Sequence, residues 1–445
     1  MKSILVIGAG LSSSSLIRYL LENSVENNWK IKVVDQNIDL AISKIKGHQN
    51  GEALSFNALN PDERRPQIES SDLVISMLPA RFHMEIAHDC LDLKTNLITP
   101  SYISPEMKAL HEKARDAGVI FMNEIGVDPG IDHMSAMRII DDIKAKNGNL
   151  HRFISFCGGL VAPEYDNNPW NYKFTWNPRN VVLAGQGAAA SYQEEKEYKY
   201  IPYNKLSNRL DKISIPEYGD FEAYANRDSL SYRSVYGLED LPTIYRGTLR
   251  RPGFCKAWDF LVDLGLTEDN YKMTNSESLT PRSFVNAFLP YRSDVTVEEK
   301  FKQYLGHHAD LFPKFEWLGL FDGSEKIGIE NSSPAQLLQN ILVKKWSLDK
   351  DDKDMLVMYH EFEFLMDGKR KQITSYMVNK GEDSVYTSMS NTVGLPVAIC
   401  TKMILNDTIK IKGVHIPIYP EIYNPILDEL EEYGISFIES EKDLN

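Results

Sequence analysis

The sequence predicts an α/β chain: a doubly wound parallel sheet, then an α+β mixed-sheet domain carrying a helical insertion. Three observations lead there. Short apolar runs alternate with helical stretches from Ser3 to Met122, the rhythm of a crossover-linked parallel sheet. A glycine turn, Gly8-Ala9-Gly10, joins the first strand to a helix, and an acid, Asp35, closes the second strand. After about residue 150 the texture shifts to period-2 alternation with long loops, then to helix, then back to strand.

Residues 3–7 form the first strand. Leu16, Tyr19 and Leu20 share one face of the following helix, and residues 31–34 are the second strand. In this βαβ layout a glycine turn lets backbone N–H groups approach a pyrophosphate at a helix N-terminus. That is the Rossmann dinucleotide arrangement, and it assigns Gly8, Ala9, Gly10, Leu11 and Ser12 to the cofactor. Ser13 stands where the fingerprint has its third glycine. Asp35 is placed to accept bonds from the adenosine ribose hydroxyls and to repel a 2′-phosphate. Gln36 follows with no arginine or lysine beside it, so the pattern favours NAD over NADP.

The alternation continues with a weak strand at 53–56 and a strong one at 72–79, whose end, Met77-Leu78-Pro79, should lie beside the cofactor. A helix covers 82–93 and a strand 96–99. Ser104 caps the next helix, with Pro105 at its first position and Gly118 beyond its end. Residues 119–122 make a sixth strand. Asp128 then suits a helix N-cap and Pro129 the first helical position, with Ile131, Met134, Ile139, Ile140 and Ile143 at helical spacing. Residues 76–79, Ser101-Tyr102 and Asp128 thus fall at carboxyl ends of strands, the rim where open α/β sheets bind ligands.

In the second half, a strand over 151–157 ends at Cys157-Gly158-Gly159, and 181–184, 198–201, 221–224 and 243–249 read as further strands. Residues 253–345 are helical in pattern: 257–264, 281–288 with Thr280 as N-cap, 297–312 and 335–345. Strand alternation resumes at 355–365, helices follow at 389–405 and 425–433, and the apolar 435–438 is a last strand.

Composition narrows the partners. The chain of 445 residues carries a net charge of −14, which argues against nucleic acid. No apolar run approaches bilayer length, and the N-terminal one is too short for a signal peptide. Four scattered cysteines, Cys90, Cys157, Cys255 and Cys400, point to a reducing cytoplasm. Metal binding is not expected: His307, His308 and Asp310 do not share a helix face, and the acidic run 349–354 lacks the glycine and distal glutamate of a calcium loop. No G-x-S-x-G elbow supports a serine nucleophile. Arg227, Arg246 and Arg250 are more suggestive, because arginine binds carboxylates bidentately and several in one cleft would suit a substrate with several carboxylates. On spacing alone each reads as a solvated arginine, and Cys157 as a small core residue.

Longer motifs sharpen this. They are Ser76-Met77-Leu78-Pro79 through Phe82-His83, Thr99-Pro100-Ser101-Tyr102-Ile103-Ser104-Pro105, residues 123–133, and Cys157-Gly158-Gly159-Leu160-Val161-Ala162-Pro163-Glu164. Asn168-Pro169 with Tyr172-Lys173-Phe174-Thr175-Trp176, Asn226-Arg227-Asp228-Ser229 and Arg246-Gly247-Thr248-Leu249-Arg250 complete the set. Through them the chain resembles, over most of its length, the glutamate-forming saccharopine dehydrogenase (saccharopine reductase) family of lysine metabolism. The resemblance implies a Rossmann domain at 1–128 completed by 390–445. It implies an α+β substrate-binding and dimerisation domain at 129–252 and 346–389, an inserted helical domain at 253–345, and a homodimer. It implies substrate contacts at Ser101, Tyr102, Asn177, Arg227, Thr248, Leu249 and Arg250, with Asp128, Cys157 and Tyr102 nearest the reacting carbon–nitrogen bond. The chain departs from many relatives in having Ser12-Ser13-Ser14-Ser15 after the glycine turn, and in Asp35-Gln36 where NADP-using fungal relatives carry Cys-Arg. Asn177 replaces a smaller serine.

The implied activity is reversible NAD(P)-dependent oxidation of saccharopine, a secondary amine with three carboxylates, to 2-aminoadipate 6-semialdehyde and glutamate. An aspartate at its ordinary pKa of about 4 is a poor base for an amine near ~10, so Asp128 is expected to act electrostatically on the protonated amine or iminium. The runner-up is carboxynorspermidine or carboxyspermidine dehydrogenase, which binds fewer carboxylates and would want acids for its diamine. A saccharopine-dehydrogenase-like binding protein without turnover is the third reading.

Overall fold

The computed structural model describes residues 1–184, 186–187, 189–226 and 228–444. By its packing the chain divides into two units, Met1–His151 with Met358–Asn445, and Arg152–Val357.

In the first unit seven strands form one parallel sheet. Their order is Gly413–His415, Ile120–Met122, Asn96–Ile98, Leu73–Ser76, Lys2–Ile7, Trp29–Val34, Gly51–Leu54. The central strand Leu73–Ser76 is buried at every position, as a strand covered on both faces must be. Leu5, Ile7, Val74, Leu97 and Phe121 supply one of its cores. The order reverses between Lys2–Ile7 and Leu73–Ser76, which opens a crevice at the carboxyl ends of those two strands.

Six strands were expected here. The seventh, Gly413–His415, comes from the far end of the chain and is too short to carry a periodic signal. The helices Ser388–Leu405 and Pro420–Glu432 belong to the same unit. The strand expected at 435–438 begins instead at Ile438 and runs to Leu444, antiparallel to Lys369–Lys380. It is exposed and charged along its length, with Glu441 bonded to Lys371 at 2.6 Å, so apolar patterning missed it. Such charges blunt a sheet edge.

The second unit is built on a mixed sheet. Asp211–Ile215, Gly219–Ala225 and Thr243–Arg250 run antiparallel in turn, and Thr243–Arg250 pairs parallel with Asn149–Val161. The strand expected to stop at Cys157 continues to Val161. Gly158 permits this, because a Cβ there would sit 2.6 Å from the Leu249 carbonyl oxygen on the neighbouring strand. Residues 181–184, expected as a strand, are instead the end of the helix Pro178–Leu183 and its C-cap Ala184. Its start signal is plain in retrospect: Asn177 accepts the Arg179 N–H and Pro178 takes the first turn.

The helical stretch holds Phe254–Asp263, Pro281–Asn286, Val297–Leu305, Phe312–Trp317 and Pro334–Trp346. Thr280, Thr296 and Ser333 each open a helix with a reciprocal capping box. Trp170, Tyr172, Phe254 and Trp346 pack edge-on or tilted at the centre of this unit, with Trp170 and Trp346 5.2 Å apart. Among the described residues no helix is long and apolar enough to cross a membrane.

Candidate active site

The glycine turn is shaped by close approach. Gly8 has φ +108, a value open to glycine, and a Cβ there would lie 3.1 Å from the Met77 carbonyl oxygen. The Gly8 N–H donates to the Val34 carbonyl at 2.8 Å, and the Met77 N–H to the Ile7 carbonyl at 2.9 Å. A Cβ on Gly10 would meet nothing within 4 Å, so that glycine borders open space at the entrance to the helix Ser14–Glu22. Ala9 is buried and Leu11 is exposed. Backbone N–H groups beside such a space fit a pyrophosphate.

The serine run has a packing role. Ser13 is buried and donates its hydroxyl to the Gly10 carbonyl at 2.8 Å. The Ser15 N–H donates to Ser390 Oγ at 2.9 Å and the Ser15 hydroxyl to Asn391 Oδ1 at 2.5 Å. Gly394 then lets this helix come close, since a Cβ there would lie 2.8 Å from the Leu16 nitrogen. The first helix therefore docks by hydroxyl groups on the helix Ser388–Leu405.

Asp35 is committed to backbone. Its Oδ2 accepts the Ala9 N–H and its Oδ1 the Asn37 N–H, both at 3.0 Å. Gln36 is exposed and reaches Asn57 at 3.4 Å. Met77 and Leu78 are half-buried and Pro79 is exposed, just beyond Leu73–Ser76.

Next along the rim, buried His83 ties three hydroxyls together. Its Nδ1 lies 2.9 Å from Ser76 Oγ, and its Nε2 lies 2.8 Å from Ser101 Oγ and 3.0 Å from Thr99 Oγ1. Burial lowers its pKa to about 4, so the ring is neutral near pH 7 and orients Ser101 without adding charge.

The Tyr102 phenol donates to Asp128 Oδ1 at 2.9 Å. Asp128 does not cap the helix, which starts at Ile131 behind Gly130. A tight turn intervenes, with the Gly126 N–H on the Pro129 carbonyl and the Ile131 N–H on the Gly126 carbonyl. The Gly130 N–H is taken by Asp132 Oδ1 at 2.6 Å, so the capping work passes to Asp132 and Asp128 is turned to Tyr102.

Sequence reasoning passed over three residues here: His83, Glu124 and His133. Glu124 and His133 are both buried, with 2.7 Å between Glu124 Oε2 and His133 Nε2. A signal existed, because His133 falls among the apolar positions Ile131 and Met134 of an inward-facing helix.

The second unit holds the remaining candidates. Cys157, Thr248 and Tyr224 are neighbours across three strands. Cys157 is buried, Thr248 half-buried, and Leu249 fully buried with its carbonyl accepting Arg250 Nη1 at 2.9 Å. Arg250 is 5% exposed among the rings of Tyr172, Tyr224 and Phe254, at 5.3, 5.8 and 5.5 Å. Its Nε has no hydrogen-bond partner, and among the described residues no carboxylate pairs with it. Tyr224, Arg250, Cys255, Trp258 and Asp259 line a pocket. Arg246 is buried with its guanidinium 4.0 Å from the Tyr232 ring centre. Asn177 is exposed and spends its side-chain oxygen on the helix cap. Arg227 lies outside the described residues.

Residues 4–122 match the saccharopine dehydrogenase NADP binding domain, and residues 126–435 the saccharopine dehydrogenase C-terminal domain. The chain belongs to the saccharopine dehydrogenase family. It is 32% identical to "Saccharopine dehydrogenase [NADP(+), L-glutamate-forming]" of Saccharomyces cerevisiae and 31% identical to the same-named protein of Pyricularia oryzae, over 98% of both partners in each case. It is also 34% identical to the mitochondrial alpha-aminoadipic semialdehyde synthase of Bos taurus, covering 47% of that longer protein. The solved apo saccharopine dehydrogenase (L-Glu forming) of S. cerevisiae superposes with a TM-score of 0.86, covering 99% of this chain and all of that one. The α/β class with its parallel and mixed sheets is therefore that of the family. The expectation of NAD over NADP gains no support: the matched domain is an NADP binding domain and both fungal relatives are named for NADP(+).

Proposed function

We propose that the chain is an L-glutamate-forming saccharopine dehydrogenase using NADP, a cytoplasmic homodimer of the three-part organisation that the family resemblance implies. The observation that carries this is the end-to-end likeness to fungal enzymes of that name, over 98% of both chains. The four buried, unbridged cysteines suit a reducing compartment. Gly8, Ala9, Gly10, Leu11 and Ser12 with Met77, Leu78 and Pro79 would hold the dinucleotide, the open space at Gly10 being where a pyrophosphate fits. When bound, the nicotinamide supplies the hydride acceptor for the substrate's carbon–nitrogen bond.

The protein's own residues do the rest. Asp128 stabilises the cationic nitrogen as amine becomes iminium, and orients the water that releases glutamate. Tyr102, bonded to Asp128, holds that carboxylate in one orientation and passes a proton through its hydroxyl. Ser101, oriented by His83, binds substrate beside it. Arg250 receives a substrate carboxylate. A buried guanidinium with no carboxylate among the described residues to balance it is costly, and an anionic substrate relieves that cost. Cys157, Asn177, Arg227, Thr248 and Leu249 are assigned to substrate with it.

Arg250 also sets this reading above a carboxypolyamine substrate, whose diamine would meet a buried cation. The test is purified protein with saccharopine and NADP, following absorbance of the reduced cofactor. NADPH should accumulate with aminoadipate semialdehyde and glutamate in equal amounts. Turnover of carboxynorspermidine, with none of saccharopine under either NADP or NAD, would overturn the proposal.

A further inference from the structure

The residues between the sixth strand and its helix do more than cap a turn. Glu124 has a left-handed backbone, φ +54, uncommon for a residue with a side chain. In that conformation it clamps the neighbouring loop. The Glu124 N–H donates to the Ser101 carbonyl at 3.1 Å, and the Ile103 N–H donates to Glu124 Oε1 at 2.9 Å. One residue thus grips the chain on both sides of Tyr102. The second carboxylate oxygen, Oε2, is held 2.7 Å from His133 Nε2. His133 stands in the first turn of Ile131–Ala145, the helix that follows the Asp128 turn. Glu124 and His133 are 4% and 0% exposed, so water does not compete for these bonds.

We propose that Glu124 and His133 are positioning residues for the reaction, holding the Tyr102 loop and the Asp128 turn in register so that the phenol meets the carboxylate. The two reacting groups lie on separate segments that share no covalent constraint, residues 101–103 and 126–130. Tyr102 is 48% exposed, so its ring is not locked by a core. Its backbone is bonded on either side to Glu124, which fixes where the ring starts from. His133 then ties Glu124 to the helix that carries the Asp128 turn. The inference rests on the proposed roles of Tyr102 and Asp128.

The test is a double-mutant cycle on the full chain, with kcat, KM for saccharopine, cofactor Kd and thermal midpoint measured for each protein. Glu124→Gln keeps the shape but leaves one acceptor where two are needed. It should lower kcat about 10-fold while KM and cofactor Kd move less than about 3-fold, since a misplaced reacting group costs rate rather than binding. Tyr102→Phe alone should lower kcat. In the Tyr102→Phe background, Glu124→Gln should then cost less than about 2-fold, the mark of two residues acting through one contact. His133→Leu should behave like Glu124→Gln, and His133→Gln, whose amide N–H can replace Nε2–H, should restore most of kcat. If Glu124→Gln does not fold, the two His133 variants carry the same cycle. Losses that multiply in the double variant, with Tyr102→Phe still impaired alone, would overturn the positioning role and leave the catalytic reading standing. A Tyr102→Phe protein with unaltered kcat would overturn both.

Discussion

Asp35 closes the glycine turn on Ala9, accepting its N–H at 3.0 Å while the other carboxylate oxygen takes that of Asn37. The carboxylate is half-exposed, so each bond is worth less than a buried charge-assisted one, about 1 kcal/mol for the pair left after solvent screening. Removing it in Asp35→Ala loosens the turn itself. Affinity for NADPH and NADH should therefore fall together, each by about 5-fold, in fluorescence titrations. A variant that gained NADPH affinity alone would make Asp35 a barrier to the 2′-phosphate.

The same residue shows where sequence reading stops. The strand, turn, helix and acid of residues 2–35 follow from periodicity and glycine placement, and they are present as expected. Which N–H the acid accepts depends on how the turn folds over the sheet, and no spacing encodes that. Asp128 makes the point again. A good N-cap residue before a proline does not cap, because Asp132 four residues on takes the Gly130 N–H instead. The seventh strand and the C-terminal edge strand were hidden for a similar reason: pairing with distant partners, rather than local pattern, makes them strands.

Arg250 should show a conflict between stability and function. Its guanidinium is buried among aromatic rings with Nε unpartnered, so the fold bears a desolvation cost that those rings and the Leu249 carbonyl offset in part and a bound anion would offset further. Replacing it with methionine, of similar length, should stabilise the ligand-free protein by about 1–3 kcal/mol and raise its thermal midpoint. The same variant should lose saccharopine binding by at least about 100-fold in KM. A lower midpoint for Arg250→Met would mean that the charge is satisfied within the protein.

Gly158 sits opposite Leu249, where a Cβ would lie 2.6 Å from the Leu249 carbonyl oxygen and 2.8 Å from its Cβ. Both contacts are with main chain or its first carbon, so no flexible side-chain end can yield. Gly158→Ala should cost about 1–3 kcal/mol by overpacking and shift Thr243–Arg250 against Asn149–Val161. A lowered thermal midpoint with reduced saccharopine affinity and unchanged NADPH affinity is the expected result. Equal loss of both affinities would point to general unfolding.

His83 predicts the acid side of the stability profile. Its pKa is lowered by burial to about 4, from an unfolded value near 6.5. Between those values the unfolded chain binds a proton that the folded ring refuses, so acid favours unfolding. The contribution is complete above about pH 6.5, declines as pH falls toward 4, and levels off below, and over that span it amounts to roughly 3 kcal/mol. In His83→Asn this component disappears, while every other histidine contributes to both proteins alike. The difference in thermal midpoint between the two proteins should therefore be largest at pH 7.5 and shrink steadily to pH 4.5. Parallel curves over that range would show that protonated His83 is accommodated in the fold, and that its hydroxyl partners turn to receive it.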